Sequence, residues 1–300
     1  MKKYLSYIIL TVVLSIITVL ITVFIYSPQF AKEREFLAKK VGVFTYQNKR
    51  VELDRGEVGV PILAPTFSPT PSPAALLVIV LDDFGYEEDL IDILHELSLP
   101  INPSIIPFLP ASEVVLKKAK EYGLDPLLHL PMEPINPSLN PGKGAIYVTF
   151  SDKEIRERTK EALEAMPGVI GVNNHMGSRA TASKRVMKDV IDVIKVYNLF
   201  FLDSLTTPFS VGYEVAQKAG LPLLKRDIFL DNYKEEDYIE GQLDEFTKLA
   251  LERKKAIGIG HANKITLFAI KKYIPIWKEK NIKIISLKDY VKEGLWREDN

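Results

Sequence analysis

Three of the four histidines in this 300-residue chain, His129, His175 and His261, stand at the ends of short apolar runs, and an aspartate pair, Asp82-Asp83, closes another. The chain has no cysteine. Disulfide scaffolds, thiolate zinc sites and cysteine nucleophiles are therefore excluded, and any metal must be held by imidazole, carboxylate, backbone or water. A cation bound by such groups can activate water, while a nearby carboxylate and imidazole move protons. Each residue alone has a plainer reading. A single histidine is hydrogen-bonded structure, and an Asp-Asp pair before a helix is a cap. Three strand-end histidines together with the pair argue for a site. His95 lies inside a helical pattern and reads as structural or surface.

The neighbourhoods sharpen this. His129-Leu130-Pro131-Met132-Glu133 sets an imidazole and a carboxylate four apart, able to approach one cation in a turn. Asn173-Asn174-His175-Met176-Gly177-Ser178 is a polar loop whose amides and glycine suit a tight turn around a ligand. In Gly258-Ile259-Gly260-His261 the glycines permit close approach by a neighbour or a substrate. A neutral imidazole needs an orienting partner on its second nitrogen, and Asp203 and Asp227 are the candidates for His261.

The elements that position these residues alternate. Residues 76–83, 101–107, 126–132, 168–174 and 199–204 read as strands, and 86–97, 112–123, 151–167, 183–197 and 236–253 as helices, with Ser151 of capping type. GYEVAQKAG, PLLKRDIFLD, AIGIGH, TLFAIKKYIPIWKEKN and IKIISL continue the rhythm. Such βα alternation predicts an α/β fold on a parallel sheet, closed as a barrel or open and doubly wound. In both forms catalytic residues sit at the carboxyl ends of strands. Asp82-Asp83, His129, Asn173-Asn174-His175, Asp203-Ser204, Asp231-Asn232 and His261 all fall there.

Before this body, Tyr4–Tyr26 is 23 uncharged residues following Lys2-Lys3. As a helix it spans about 34 Å, enough for a bilayer core. It reads as an uncleaved single-pass signal anchor that places the C-terminal bulk outside the cytoplasm. Residues 27–75 form a juxtamembrane segment ending in a proline-rich spacer, and 76–300 the globular domain. Lys+Arg and Asp+Glu both number 39, so a nucleic-acid partner is not expected.

The runs VLDDFGY, HLPMEP, GVNNHMGSRAT, FLDSLTT, KRDIFLDN and IGHANKIT, in this order across residues 76–292, resemble the divergent polysaccharide deacetylase family. The resemblance implies an irregular (β/α) barrel of about seven strands. It also implies metal-dependent removal of acetyl groups from an envelope or extracellular polysaccharide such as peptidoglycan. Asp82 then matches the general base, Asp83 a metal ligand and His261 the general acid, with Asp203 and Asp227 in support. His129 and Glu133 keep the spacing of a His-x-x-x-His ligand motif whose second histidine is replaced, and His175 is the candidate for the missing imidazole. Zinc is the expected metal. Asn173, Asn174, Ser178, Arg226 and Asp231 are expected at the substrate, with Arg179 and Arg226 as candidates for the arginine that braces the base. Two alternatives share the pocket: a weakly active or inactive envelope protein that binds glycan or a partner, and a metal-dependent hydrolase of another ester or amide.

Overall fold

Leu76–Leu81 is apolar at every position because both faces of its strand are covered. Leu77, Ile79 and Leu81 pack in the cluster shared with the surrounding helices. Val78 and Val80 pack in a second cluster with Leu127, Leu202, Ile257 and Ile259. This division sets the architecture. The computed structural model describes residues 72–297. The expected membrane anchor over 1–26 and most of the 27–75 segment lie outside them. Among the described residues no helix is long and apolar enough to cross a membrane.

The elements are β1 (Ala75–Phe84), α1 (Asp89–Glu96), β2 (Asn102–Ile105), α2 (Ser112–Glu121), β3 (Leu127–Met132), α3 (Asp152–Ala165), β4 (Gly171–Met176), α4 (Lys184–Val196), β5 (Phe200–Asp203), α5 (Gly212–Lys218), β6 (Leu224–Lys225), β7 (Ile228–Phe229), α6 (Glu236–Arg253), β8 (Lys255–His261), α7 (Lys264–Glu279), β9 (Ile282–Ile284) and α8 (Leu287–Lys292). The named strands pair in parallel in the order β6-β5-β4-β3-β2-β1-β8-β7, with β9 added to the start of β1. The result is a half-barrel of eight parallel strands plus β9, rather than about seven strands.

The extra strand comes from PLLKRDIFLD, which reads as one unit but contains two. Arg226 N donates to the carbonyl of Asp203 beside β5, while Asp227 N donates to that of Ile257 on β8. The chain therefore steps between the two ends of the sheet within a single peptide. β6 and β7 are two residues each, too short for periodicity to register.

Along the inner face the apolar floor ends in polar residues. By strand alternation Val80 is followed by Asp82, Leu127 by His129, Gly171 by Asn173 and His175, Leu202 by Ser204, and Ile259 by His261. All lie at the carboxyl ends. Register brings them level: Asp82 pairs with His261, His129 with Asn173, and Pro131 with His175.

Candidate active site

Asp83 should point away from Asp82, since neighbours on a strand face opposite sides. It does not, because β1 breaks its register between Leu81 and Phe84 and Asp83 takes φ +65°. A left-handed aspartate is among the less costly of such departures. The turn brings Asp83 Oδ1 to 3.3 Å from His129 Nε2 and 2.9 Å from His175 Nδ1. These three ligand atoms all lie within 4.8 Å of one another, the one such group among the described residues. Asp83 Oδ1 is buried and has no assigned hydrogen-bond partner. A carboxylate oxygen and two imidazole nitrogens converging in this way suit a divalent cation held by nitrogen and oxygen donors.

Asn173 fixes the imidazole. His129 Nδ1–H donates to Asn173 Oδ1 at 2.9 Å, which leaves Nε2 facing Asp83. The same Oδ1 accepts from Ser104 Oγ, and Nδ2 donates to Asp82 Oδ1 at 2.8 Å and to Ser204 Oγ at 3.2 Å. Asp82, 3.6 Å from His129 Nε2, is buried. Burial lifts its carboxyl above the ordinary range, against the opposing pull of His129, His261 and Asn173. Burial acts the same way on Asp83, but His129 and His175 outweigh it and hold that carboxyl low. Two adjacent aspartates are thus pushed in opposite directions, Asp82 up and Asp83 down.

Across the cleft His261 Nδ1–H donates to Asp231 Oδ1 at 2.8 Å, leaving Nε2 available. Asp231 Oδ2 also accepts from His261 N, Thr266 Oγ1 and Asn263 Nδ2. Burial alone would depress His261, but Asp231, with Asp82 and Asp83, raises it to about 9. Asp83, Tyr86, Asp231, Asn232, Lys234 and His261 are among the residues lining a cleft of about 740 Å³ at this face. The cleft has the size of a small-molecule site and opens beside Asp83 and the His261–Asp231 pair.

The sequence profile of the divergent polysaccharide deacetylases matches residues 79–291. This chain belongs to the divergent polysaccharide deacetylase family. It is 32% identical over 206 residues to the uncharacterized protein YibQ of Escherichia coli (strain K12), and 33% identical over 191 residues to an uncharacterized protein of Haemophilus influenzae. The matches cover 68% and 64% of this chain, and 64% and 68% of the respective relatives. A crystal structure of an uncharacterized protein from Agrobacterium tumefaciens C58 superposes with TM-score 0.68 at 22% identity, covering 73% of this chain and 90% of that one. At that identity the superposition establishes the fold.

In this deacetylase-family protein several expected site residues serve other ends. Neither Asp203 nor Asp227 orients His261; Asp231 does. Asp203 lies on the outer parity of β5 and accepts from Ser210 Oγ, Tyr213 N and Leu205 N, closing the turn into α5. Asp227 pairs with Arg253 and with the backbone of Ile257, about 13 Å down β8 from His261 at the rise of a strand. Glu133 is absent from the metal group, because Arg179 at 2.9 Å and the Val148 amide at 2.7 Å occupy its carboxylate. Asn173 and Asn174 are buried, Asn173 bonded to His129 and Asp82 and Asn174 to the Ser204 amide. Asp231 is likewise 3% exposed, and Ser178 Oγ accepts the amide of Ile135. Neither Arg179 nor Arg226 reaches Asp82, whose hydrogen-bond donor is Asn173. Gly258 and Gly260 give their space to Phe246 and to Leu81, Thr266 and Leu230, not to a ligand. His95 stacks on Tyr122 at 4.0 Å between α1 and α2, a structural contact. Ser104, Asn263 and Thr266 are not singled out by the sequence; Ser104 and Asn263 are small polar residues at or just beyond a strand end, and Thr266 lies in the first turn of α7.

Proposed function

We propose that this protein is a metal-dependent hydrolase that removes acetyl groups from an envelope or extracellular polysaccharide. One observation carries the reading. Asp83, His129 and His175 converge as a ligand set beside a buried, raised Asp82, and His261, held by Asp231, is level with Asp82 across β1 and β8. A divalent cation held by Asp83, His129 and His175 would supply Lewis acidity and lower the pKa of water. Asp82 is placed to accept a proton from a water at that site, its basicity kept by burial. His261, as imidazolium with Nε2 facing the cleft, gives a proton to the departing nitrogen or oxygen. Asp231 holds the ring and stabilises its charge. Zinc is the cation this nitrogen and oxygen set suits first.

The polymer is proposed from family membership and from the open cleft, where charged and polar side chains such as Glu87, Asn232 and Lys234 stand beside apolar ones. The test is acetate release from peptidoglycan and chitin oligomers by the full chain, with zinc and after chelation. Zinc-dependent release supports the reading. Binding of the same glycans without acetate release would favour a non-catalytic glycan-binding role. The apolar stretch from Tyr4 to Tyr26 motivates a further proposal, a single-pass protein in the cell membrane with its globular domain extracytoplasmic. A reporter fused after Asn300 that is active only in the cytoplasm would refute that placement.

A further inference from the structure

The sheet has a seam. Its end strands β6 and β7 are consecutive in the chain, and no pairing joins them among the described residues. At this seam lies Arg226. Its Nε donates to the carbonyl of Ser204 at 2.8 Å and its Nη2 to that of Leu205 at 3.0 Å, so the fork grips the turn after β5. The central carbon of the guanidinium lies over the Phe229 ring, 3.8 Å from its centre. Phe229, level with Ile259 on β8, lies nearly parallel to the His261 imidazole, at 7° and 6.1 Å between centres. Arg226, Phe229 and His261 thus follow one another in contact, anchored at one end by two carbonyls and at the other by Asp231.

We propose that Arg226 and Phe229 are positioning residues that set the plane of the His261 ring, with Arg226 closing the seam where backbone pairing is missing. The inference rests on His261 acting as the proton donor of the proposed hydrolase. Three features of the geometry lead to it. A hydrogen bond to Asp231 fixes one ring nitrogen but leaves the imidazole free to rock about that bond. A parallel aromatic neighbour removes this freedom on one side. Phe229 sits on a two-residue strand at the end of the sheet, and Arg226 reaches across to the far end to hold it. The same fork also steadies Ser204, whose Oγ accepts from Asn173, the residue that orients His129 and Asp82. Arg226 therefore acts on both halves of the site without entering the cleft. Arginine suits this task because its planar fork bonds two carbonyls and stacks at once, which a lysine ammonium cannot do.

The test uses the full zinc-loaded protein with Arg226→Lys, Phe229→Leu, Phe229→Tyr and the double variant Arg226→Lys/Phe229→Leu. Zinc stoichiometry should be unchanged in all of them. Arg226→Lys and Phe229→Leu should each lower kcat about 10- to 100-fold, in keeping with the reach of a misplaced proton donor, with KM unchanged. Phe229→Tyr should restore kcat. The double variant should be no worse than the weaker single one, because both act through one imidazole. The nuclear magnetic resonance signal of the His261 Nδ1 proton, hydrogen-bonded to Asp231, should broaden in Arg226→Lys and Phe229→Leu. An unchanged kcat, or a raised KM with kcat intact, overturns the proposal, the second by making Arg226 a substrate contact. If the wild type releases no acetate from any substrate, the hydrolase reading fails instead. The proton signal then decides alone, and its persistence in Arg226→Lys overturns the positioning role.

Discussion

Asn173 offers a sharp test of the site, because no part of it touches solvent and four side chains depend on it. In Asn173→Ala the His129 Nδ1–H, the Ser104 hydroxyl and the Asp82 carboxylate each lose a buried partner. A buried polar group left unpaired costs about 1–3 kcal/mol, and charged groups cost more. The three share neighbours and do not add fully, so the total comes to roughly 3–6 kcal/mol. That is a large part of the roughly 5–15 kcal/mol a domain has in hand. Without its acceptor His129 also loses its fixed tautomer, and zinc affinity should fall about 10- to 100-fold. Asn173→Asp is a finer probe. It keeps an oxygen for His129 and Ser104 but sets a second carboxylate 2.8 Å from Asp82. Two carboxylates at that distance share one proton. The variant should fold and bind zinc, yet Asp82 should no longer serve as a free base, and turnover should drop about 10²- to 10⁴-fold. Chelator competition for zinc, thermal melts with and without metal, and acetate release separate these outcomes. Wild-type zinc affinity and melting in Asn173→Ala would refute the reasoning.

Removing a ligand nitrogen with His175→Ala should sharply reduce zinc stoichiometry and abolish zinc's stabilisation, about 2.7 kcal/mol at a hundredfold excess over Kd; full zinc occupancy by elemental analysis would remove His175 from the site. For Asp231→Asn the sign follows from His261, whose folded-state value of about 9 lies above the usual imidazole value because of that carboxylate. Imidazolium therefore persists to about pH 9 in the wild type, and the variant should lose its proton at lower pH, moving the alkaline limb of the pH–rate profile down. An unmoved limb would mean that His261 is not the acid. Burial opposes protonation of His129, but Asp82 and Asp83 prevail and raise it, so a cation must displace that proton. Zinc affinity should consequently weaken as pH falls, and a flat affinity across the neutral range would contradict this.

How far the sequence reveals the site depends on what each residue needs. Asp82-Asp83, His129, His175 and His261 are legible because an unbroken apolar run predicts a buried strand and its first polar residues mark the end. The long helices are legible for the same reason; the predicted helix over 236–253 agrees with α6 at both ends. Glu133 is misleading because spacing within a turn says nothing of Arg179, 46 positions later, which claims its carboxylate. The choice among Asp203, Asp227 and Asp231 turns on strand parity and on β7, which has only two residues. Asn173 as a hub is invisible without the register that sets it level with His129. Phe229 and Arg226 are hidden by the step across the seam.

Several strand-end residues share a physical need. Asp83, Met176 and Leu205 are non-glycine residues at positive φ, of 65°, 51° and 47°, at the ends of β1, β4 and just beyond β5. Each such departure costs about 1–3 kcal/mol unless its surroundings enforce it. Asn174 Nδ2 and Thr206 Oγ1 both donate to the Met176 carbonyl. The Leu205 amide donates to Asp203 Oδ1, and its carbonyl accepts from Arg226. The residues expected at the substrate or in catalysis thus hold the strained turns from the outer side of the sheet. Those turns are where a regular parallel strand stops being floor and its side chains swing toward one point. Without them Asp83 would face the helices and His175 would lack the tight exit that follows it. The polar signature in the sequence therefore divides in two: groups that converge on the proposed cation site and proton path, and groups that keep the backbone bent so that the first can converge.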